Sequence, residues 1–532
     1  MDRISDIVLT LAATGGLSAA AHWDAAATES VLLAYKEFID TEVAPGNGPA
    51  DRAGCRIVDG RVRVPSPLPQ TYKSYVDLGW HLLPLPVSIG GIGAPSPICC
   101  AGAELLAGAN HAFQMLVGLV PGAIGVIERF GTQAQQDALI PELTAGTTLA
   151  TMCLTEADAG SDLGAIRTSG TRNEAGEWTL SGEKIFISGG DQDLSDAIVH
   201  LVLARTGAPA EGVKGLSLFA CHAQRSDGSR NSIEVVRIEE KLGLHASPTC
   251  QLRFASADAQ LLGQPGDGLK AMFVMMNHAR LDVAVQGVAH AAQAHALASA
   301  YADQRRQGGR VIARHGDVAR MLAEMDALTL GARAMGYRAA ALLEDADLAA
   351  FLTPVCKVFC TDTASRVADL GIQVLGGYGY LPEYGMEQIW RDARVTRLYE
   401  GTNGVLAMTL VRRLLGGASE TAFLGEIDQA LSLSSSTQAH IGLAQLRADW
   451  VAAAAAVRAI PEPGMVAAPL MALTGLLFFG ACWVRLEAAQ ISGEQAERMA
   501  RLGQFVRDAL LPDAAALRIR CQAPRRAENE DG

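Results

Sequence analysis

A single carboxylate, Glu400, stands in a stretch of sequence that suits proton abstraction beside a flat ligand. It lies between Tyr399 and Gly401, with Thr402 following. Because glycine has no side chain, the carboxylate could approach a planar molecule with little crowding. A carboxylate that loses water in such a pocket gains a higher pKa and can act as a general base. A capping or salt-bridging glutamate beside Arg397 is the alternative interpretation.

Glycine and hydroxyl residues occur together in the segment MCLTEADAGSD, residues 152–162. Gly160 permits close approach of the backbone to a ligand, and Thr155 and Ser161 offer hydroxyl groups. Amides and hydroxyls in this arrangement suit a diphosphate and the polar edge of a ring. Taken alone, an ordinary polar turn would explain the same residues.

An aromatic ring and a hydroxyl lie two positions apart in the segment GEKIFISGG, residues 182–190. If this segment is a strand, Phe186 and Ser188 share one face, because side chains alternate along a strand. That face could meet a planar ligand. In isolation, a half-buried structural strand is the simpler interpretation.

Three glycines, Gly376, Gly377 and Gly379, follow a predicted helix and precede the Glu400 region. They predict a turn with a permissive backbone. A dinucleotide-binding loop of the Rossmann type requires a strand directly before its glycines. The preceding sequence has helical spacing instead, so we exclude that loop.

The chain that must position these segments is long and mainly helical in pattern. Of its 532 residues, 49% are hydrophobic and 5% aromatic, which favours closely packed helices over large sheets. The hydrophobic period changes near residue 149 and again near residue 268. We expect an N-terminal helical domain (1–148), a middle β domain (149–268), a second helical domain with Glu400 (269–415) and a helical extension (416–532).

Local patterns predict individual elements within these domains. The expected strands are Trp178–Leu180, Lys184–Ser188, Ala197–Ala204, Gly215–Cys221, Ser232–Ile238 and Cys250–Phe254. Apolar residues from 318 to 328 predict one helical face, and Thr353 with Pro354 predicts the N-cap and first turn of another helix. The expected extension helices are Leu443–Ile460, Leu470–Ala489 and Glu494–Leu511.

Charge and cysteine content exclude several functions. The 44 basic and 57 acidic residues give a net charge of −13 without a basic run, so we expect no nucleic-acid partner. The ten cysteines lack the spacing of a metal site, so we assign no metal and expect reduced thiols in a cytoplasmic protein. The uncharged stretch Met465–Val484 contains proline and glycines, which favours a buried bundle helix over a membrane span.

Two signatures give the chain its resemblance to a known family. The forms T-E-x-x-x-G-S-D and Q-x-x-G-G-x-G, the latter followed by Y-E-G-T, both occur here. They resemble the signatures of the acyl-CoA dehydrogenase family, and the resemblance covers about residues 27–415. It implies a mainly α fold with an inserted small β-barrel or sandwich domain, a four-helix bundle, and here a C-terminal helical extension.

The resemblance implies FAD as cofactor. It places Leu154 and Thr155 at the flavin ring, Gly160 and Ser161 at the diphosphate, and Phe186 and Ser188 at the ring face and its reactive nitrogen. Further cofactor contacts, several of them to FAD of a neighbouring subunit, are implied for Arg305, Gln307, Gln373, Gly376, Gly377, Thr402 and Asn403. The family usually has Trp and Thr where this chain has Phe186 and Ser188, and Phe where it has Gly308.

The substrate contacts implied by the resemblance surround the proposed base. They are Ser161, Asn277, Arg280, Tyr399 and Gly401. Glu400 matches the usual base of the family, and Ala279 occupies the position where some relatives carry an alternative one. The implied reaction is α,β-dehydrogenation of an acyl-CoA to the trans-2-enoyl-CoA, with electrons passed to an electron-transferring flavoprotein by a homodimer or homotetramer.

Finer features resemble the bacterial 3-methylmercaptopropionyl-CoA dehydrogenase group. These are the segment Asp51–Val64, the run MMNHAR at residues 275–280, and the extension. Both 3-(methylthio)propionyl-CoA and a short or medium straight-chain acyl-CoA remain possible substrates. The alternatives are an oxidase that uses oxygen, a DNA-associated flavoprotein of the alkylation-response type, and a silent scaffold. Ten arginines against thirteen acidic residues in 416–532 weigh against DNA.

Overall fold

The computed structural model describes residues 3–17, 23–225, 227–434 and 436–522. The chain forms two compact units. We call Met1–Leu33, Pro95–Glu104 and Arg280–Gly532 the helical unit, and Ala34–Ala94 with Leu105–Ala279 the mixed unit. The prediction of a mainly helical protein with an inserted β region is confirmed, whereas the four domain boundaries stay a prediction.

Helices account for most of the described chain. The α-helices are α1 (Arg3–Thr14), α2 (Ala25–Phe38), α3 (Ala44–Ala53), α4 (Pro67–Asp77), α5 (Ser96–Ala109), α6 (His111–Val117), α7 (Val120–Phe130), α8 (Gln133–Thr144), α9 (Gly268–Gln304), α10 (Gly316–Ala341), α11 (Ala346–Leu375), α12 (Met386–Val395), α13 (Asn403–Thr409), α14 (Ala418–Ser432), α15 (Thr437–Arg458), α16 (Gly464–Glu487), α17 (Gly493–Phe505) and α18 (Asp513–Arg520). Short π-helical turns occupy Ile39–Val43, Leu410–Leu414 and Val506–Leu510. Short 3₁₀ turns occupy Trp80–Leu82, Val87–Ile89, Leu163–Ala165, Pro209–Gly215, Ile312–Arg314, Gly376–Tyr380 and Pro382–Tyr384.

The strands form one sheet and two hairpins. They are β1 (Arg56–Val58), β2 (Arg61–Arg63), β3 (Thr148–Cys153), β4 (Ser169–Arg172), β5 (Trp178–Ser188), β6 (Ala197–Arg205), β7 (Leu216–His222), β8 (Ile233–Ile238), β9 (Thr249–Leu262), β10 (Arg306–Gln307) and β11 (Arg310–Val311). Strands β6, β4, β5, β9 and β7 pair in that order, and β6 also pairs with β7. This last pairing closes a small barrel, with β3 beside β6 and β8 beside β9.

The barrel interior is filled by alternate side chains of its strands. Leu180, Val202, Phe219 and Phe254 are all buried there. Glycine is needed at position 170, because a Cβ atom there would lie 2.7 Å from the Phe219 ring. The close approach of β4 to this ring therefore depends on a missing side chain.

Long helices of the helical unit cross at glycines. A Cβ atom on Gly287 of α9 would lie 2.6 Å from the carbonyl oxygen of Cys360 on α11. On α10, a Cβ atom at Gly331 would lie 2.1 Å from the ring of Phe479 on α16. The absence of side chains lets α9 approach α11 closely, and it lets α10 approach α16.

Helix α1 is joined to the extension by ion pairs. Arg498 of α17 lies 2.6 Å from Asp6 of α1, measured from Nη1 to Oδ1. The same guanidinium donates from Nε to Asp326 of α10 at 2.9 Å. Three helices far apart in sequence therefore meet at one side chain.

Several sequence predictions need correction. Trp178–Leu180 and Lys184–Ser188 belong to one strand, β5, and Cys250–Phe254 is part of the longer β9. The predictions omitted β3 and β4, as well as α14 and α18. Strand β3 pairs with β6 and is almost wholly buried, so it lacks the alternation that marks a half-exposed strand.

The predicted helix start at Thr353 and Pro354 is wrong. Helix α11 begins at Ala346, and the Asp345 side chain caps it by accepting from the backbone amides of Asp347 and Leu348 at 3.0 and 3.1 Å. Pro354 lies inside the helix. Burial of the surrounding residues outweighs the hydrogen bond that proline cannot donate.

Among the residues that the structure describes, two stretches are apolar and long enough to cross a membrane by composition alone, namely His111–Phe130 and Gly464–Glu487. In the apolar 18-residue window of each stretch, 67% and 78% respectively is buried inside the protein. The second contains the predicted bundle helix. Burial of its side chains against other protein segments agrees with that prediction.

Candidate active site

Glu400 lies in a sharply bent loop between α12 and α13. Its φ is +54°, and the following Gly401 has φ +90°. A left-handed conformation is uncommon for a residue with a side chain and often marks a functional position. Thr402 then caps α13, where its hydroxyl accepts from the amide of Val405 at 3.2 Å.

The Glu400 carboxyl has the pKa expected of a base that works near neutrality. Burial raises its pKa to about 7, while the positive charges of Arg280 and Lys357 lower it and the Asp282 carboxylate raises it. The group is therefore half-ionised near pH 7 and can exchange a proton there. The sequence predicted this role for Glu400, and the role stays a prediction.

Arg280 of α9 approaches the Glu400 peptide. Its Nε lies 3.3 Å from the backbone carbonyl oxygen of Glu400. Burial lowers the pKa of the guanidinium, and the charge of Glu400 partly restores it. The contact positions a cation next to the loop and brings together two of the predicted site residues.

Tyr399 anchors the loop on the side before Glu400. Its hydroxyl donates to the Gln286 side chain of α9. Burial raises the pKa of this phenol well above its ordinary value, so the hydroxyl stays protonated and remains a donor. Gln286 was not among the sequence predictions.

Lys357 of α11 anchors the loop on the other side. Its Nζ donates to the Gly401 carbonyl and to Asn403 Oδ1, each at 2.9 Å. Sequence reasoning missed this residue as well. A lysine within the apolar run 351–360 is the signal that could have found it, because a buried ammonium group needs partners.

In the mixed unit, the predicted flavin loop is joined to strand β5. The buried Lys184 donates to the Leu154 carbonyl and to Glu156 Oε1, each at 2.8 Å. Glu156 also accepts from the backbone amides of Arg167 and Thr168 at 2.7 and 3.0 Å. The backbone amide of residue 185 donates to the carbonyl of Thr155 at 2.9 Å, so the two predicted segments lie side by side.

The strand is irregular at the predicted ring-stacking residue. Phe186 has φ +59° and its side chain is 60% exposed. The pairing of β5 with β9 shifts register between Lys184 and Ile187. The simple alternation that placed Phe186 and Ser188 on one face is therefore interrupted, although Ser188 remains paired with Thr249.

The residues predicted to reach FAD of a neighbouring subunit lie together on the helical unit. Arg305 stacks on Tyr378, with 5.5 Å from Cζ to the ring centroid. Gln307 lies on the β10–β11 hairpin, and Gln373 lies near the end of α11. All of these predicted contact residues are exposed: Arg305, Gln307, Gln373, Gly376 and Gly377.

Each unit, considered by itself, exposes groups among the residues predicted to contact FAD. The mixed unit offers the exposed Phe186 ring, the exposed Ser161 hydroxyl and the open backbone at Gly160. A Cβ atom at Gly376 or Gly377 would meet no atom within 4 Å, so a ligand can reach the backbone there. Asn277 is exposed on α9, and Leu154 is buried. The individual binding roles remain predictions.

Within residues 3–17, 23–225, 227–434 and 436–522, no group of three or more His, Cys, Asp or Glu side chains is placed to hold a metal ion. The ten cysteines are free thiols, and most of them are buried.

Comparison with protein families identifies the class. The models that match are the acyl-CoA dehydrogenase N-terminal domain over residues 26–147, the middle domain over 151–257 and the C-terminal domain over 266–415. Together with the fold and the raised pKa of Glu400, these matches define an oxidoreductase of acyl-CoA thioesters. The chain belongs to the acyl-CoA dehydrogenase family, whose enzymes use FAD.

Individual relatives refine the comparison. The chain is 38% identical over 420 residues to 3-methylmercaptopropionyl-CoA dehydrogenase of Ruegeria pomeroyi, covering 74% of this chain and 71% of the relative. An acyl-CoA dehydrogenase of Bacillus anthracis complexed with FAD matches with a TM-score of 0.80 at 22% identity, over 93% of this chain and 88% of that one. Butyryl-CoA dehydrogenase of Megasphaera elsdenii matches with a TM-score of 0.64 at 26% identity, over 75% and 98%.

Proposed function

We propose that the protein converts an acyl-CoA thioester to the trans-2-enoyl-CoA, with Glu400 as the catalytic base. The observation that carries the proposal is the half-buried carboxyl of Glu400, with a pKa of about 7, on a left-handed backbone. A base of this strength is largely ionised slightly above neutral pH. It can therefore accept a proton without needing alkaline conditions.

The α-hydrogen of a thioester is a weak acid, so its removal needs a base and a stabilised thioester oxygen. Glu400 takes the α-proton on its carboxylate. The backbone amide of Glu400 is the donor proposed to polarise the thioester carbonyl. Bound FAD supplies the acceptor for the hydride that leaves the β-carbon.

Residues of this chain would hold the cofactor and the coenzyme. Leu154, Thr155, Phe186 and Ser188 are proposed for the flavin ring, and Ser161 for the diphosphate. Asn277 and Arg280 are proposed for the pantetheine and the acyl chain. The exposed cluster around Arg305 supports a site completed by a second copy, and hence a homodimer or homotetramer.

For the acyl group, we propose 3-(methylthio)propionyl-CoA or another short to medium acyl-CoA. Support comes from the Ruegeria pomeroyi relative, which is 38% identical over most of both chains. The sequence segments that resemble the same group add to this support. A panel of thioesters of increasing length would rank these substrates.

For the electron acceptor, we propose an electron-transferring flavoprotein, as the family resemblance implies. An oxidase would use the same catalytic residues but would release hydrogen peroxide. Turnover with an artificial electron acceptor and without peroxide supports the dehydrogenase. Stoichiometric peroxide in air would support the oxidase instead.

The extension gives little support to a DNA-associated function. Several of its described arginines pair with acidic side chains of the protein, as in Arg485 with Glu426, Arg507 with Glu487 and Arg458 with Glu420, each at 2.7 Å. Paired arginines have less capacity to neutralise phosphates. Retention of the purified protein on duplex DNA at physiological salt would contradict this argument.

The decisive experiment is anaerobic bleaching of the bound flavin by a panel of acyl-CoA thioesters, including 3-(methylthio)propionyl-CoA. Wild-type protein should lose its yellow absorbance with at least one member of the panel. Glu400→Gln should bind the same thioester and keep its absorbance. Bleaching by Glu400→Gln at the wild-type rate would refute the assignment of the base.

A further inference from the structure

Lys357 is a buried cation that the reaction, as described so far, does not use. It lies in the middle of α11, and its side chain has no exposed surface. Taking an ammonium group out of water is costly unless partners replace the lost hydration. The partners that Lys357 finds belong to the loop that carries Glu400.

These partners lie directly after the base. Lys357 Nζ donates to the carbonyl of Gly401 and to Asn403 Oδ1, each at 2.9 Å. Asn403 in turn donates from Nδ2 to Thr361 Oγ1 at 3.2 Å and to Asp362 Oδ1 at 3.1 Å. One side chain of α11 therefore contacts two residues of the segment after Glu400, Gly401 and Asn403.

The loop needs to be held, because its backbone is strained. Glu400 has φ +54°, a conformation that residues with a side chain rarely adopt, and Gly401 follows at φ +90°. Such a conformation persists only when surrounding contacts impose it. The hydrogen bond from Lys357 to the Gly401 carbonyl fixes the Gly401–Thr402 peptide, one residue beyond Glu400.

We propose that Lys357 is a positioning residue for the dehydrogenation: it locks the loop 399–403 onto α11 and supplies the positive charge that keeps Glu400 available as an ionised base. The proposal rests on the proposed function, in which Glu400 removes the α-proton. Lys357 acts through the loop and through its charge, and it need not touch the substrate.

The charges around both groups define the expected effect. Glu400 faces Arg280, Lys357 and Asp282. Lys357 faces Glu400, Asp362, Arg280 and Arg397, and burial lowers its pKa to about 8. It is therefore mostly protonated at pH 7. Loss of its charge leaves burial and Asp282 opposed by Arg280 alone, so the pKa of Glu400 must rise.

The test is the pH dependence of anaerobic flavin reduction in three variants at this position. Lys357→Met removes the charge and the donor, Lys357→Gln removes the charge but keeps an N–H donor on a side chain one atom shorter, and Lys357→Arg keeps both. We expect Lys357→Met to shift the acidic limb of the rate profile upward by about one pH unit. We also expect its plateau rate to fall at least about tenfold, because the loop is no longer fixed.

The other two variants separate charge from hydrogen bonding. Lys357→Gln should share the shifted limb but retain more of the plateau rate, and Lys357→Arg should keep the limb near its wild-type position. The matched control is Arg366→Gln on the same helix. It removes one positive charge that pairs with Glu324, 2.8 Å away, and should leave the profile unchanged.

A fourth variant covers the case in which changes at 357 prevent folding. Asn403→Leu loosens the loop without removing the ammonium group, so the plateau rate should fall while the limb stays in place. If Lys357→Met has the plateau rate and the acidic limb of the wild-type protein, the inference is wrong. A wild-type plateau rate in Asn403→Leu would overturn it as well. If Glu400→Gln is itself active, the proposed base is wrong; if it is inactive and the Lys357 variants behave as wild type, only the positioning role fails.

Discussion

Lys184 and Glu156 form an ion pair of 2.8 Å in the interior of the mixed unit. The pair joins strand β5 to the loop that begins at Leu154, whose carbonyl accepts from the same ammonium group. One buried ammonium group therefore contacts both segments predicted to bind the flavin, beside the backbone hydrogen bond from residue 185 to the Thr155 carbonyl. A defect in this contact should disturb both segments at once.

Lys184→Met should therefore reduce both stability and cofactor affinity. Removing one partner of a buried pair leaves the other charge uncompensated, and we expect the free energy of unfolding to fall by about 3 kcal/mol. Denaturant unfolding measures the loss, and fluorescence titration with FAD measures the affinity. Lys36→Met, which breaks the pair with Asp40 on the surface, is the control and should change neither quantity appreciably.

Glu400→Gln should separate binding from chemistry. The amide keeps the size of the side chain but cannot accept the α-proton, so the rate of flavin reduction should fall by at least about 1000-fold. Titration with the thioester should still perturb the flavin spectrum, since binding does not need the carboxylate. A fall of only a few-fold would show that another group acts as base.

The pH dependence of the wild-type reaction follows from the same carboxyl. Because burial raises the pKa of Glu400 to about 7, flavin reduction should increase with pH and reach half its maximum near pH 7. Stopped-flow measurements between pH 5.5 and about 8.5 would record this limb. A rate that is constant down to about pH 5.5 would be incompatible with this base.

The raised pKa also has a cost in stability. A carboxyl whose pKa rises from 4.5 to about 7 on folding favours the protonated folded state, so its contribution to stability declines as pH increases through this range. Glu400→Gln does not ionise. Its free energy of unfolding should therefore exceed that of wild type above pH 7, and the difference should shrink toward pH 4.5. Thermal denaturation of the apoprotein at several pH values would show the trend.

Phe186 should show a comparable exchange of stability for function. Its φ of +59° is unfavourable for a side-chain-bearing residue, and its ring is mostly exposed. Phe186→Gly should preserve or raise the melting temperature of the apoprotein, because glycine adopts this conformation freely. FAD affinity should fall about tenfold with the loss of the ring. Phe186→Ala, which loses the ring but keeps the strain, should lower affinity without that gain.

The sequence predicted the fold class because its signals are local or motif-based. Helical spacing, the short β runs and the two signatures are all contained in contiguous residues. Strand β3 escaped detection because burial on both faces removes the alternation of a strand. The start of α11 was misplaced because Pro354 gives a strong local signal that packing around it overrides.

The site residues also fall into two groups: those that a local motif indicates, and those that only folding brings to the site. Glu400 could be named from its motif, but its left-handed backbone could not, since the conformation depends on contacts with α9 and α11. Gln286 and Lys357 lie more than 40 residues before the loop that they contact. Such partners come together only through folding, and no hydrophobic periodicity or residue spacing in the sequence indicates them.

The ion pairs of Arg498 with Asp6 and Asp326 have a consequence for biosynthesis. Arg498 is translated almost five hundred residues after Asp6. Helix α1 therefore lacks this partner until α17 has been translated. A chain truncated before α17 would never supply the partner, so a change in α17 should affect the packing of α1.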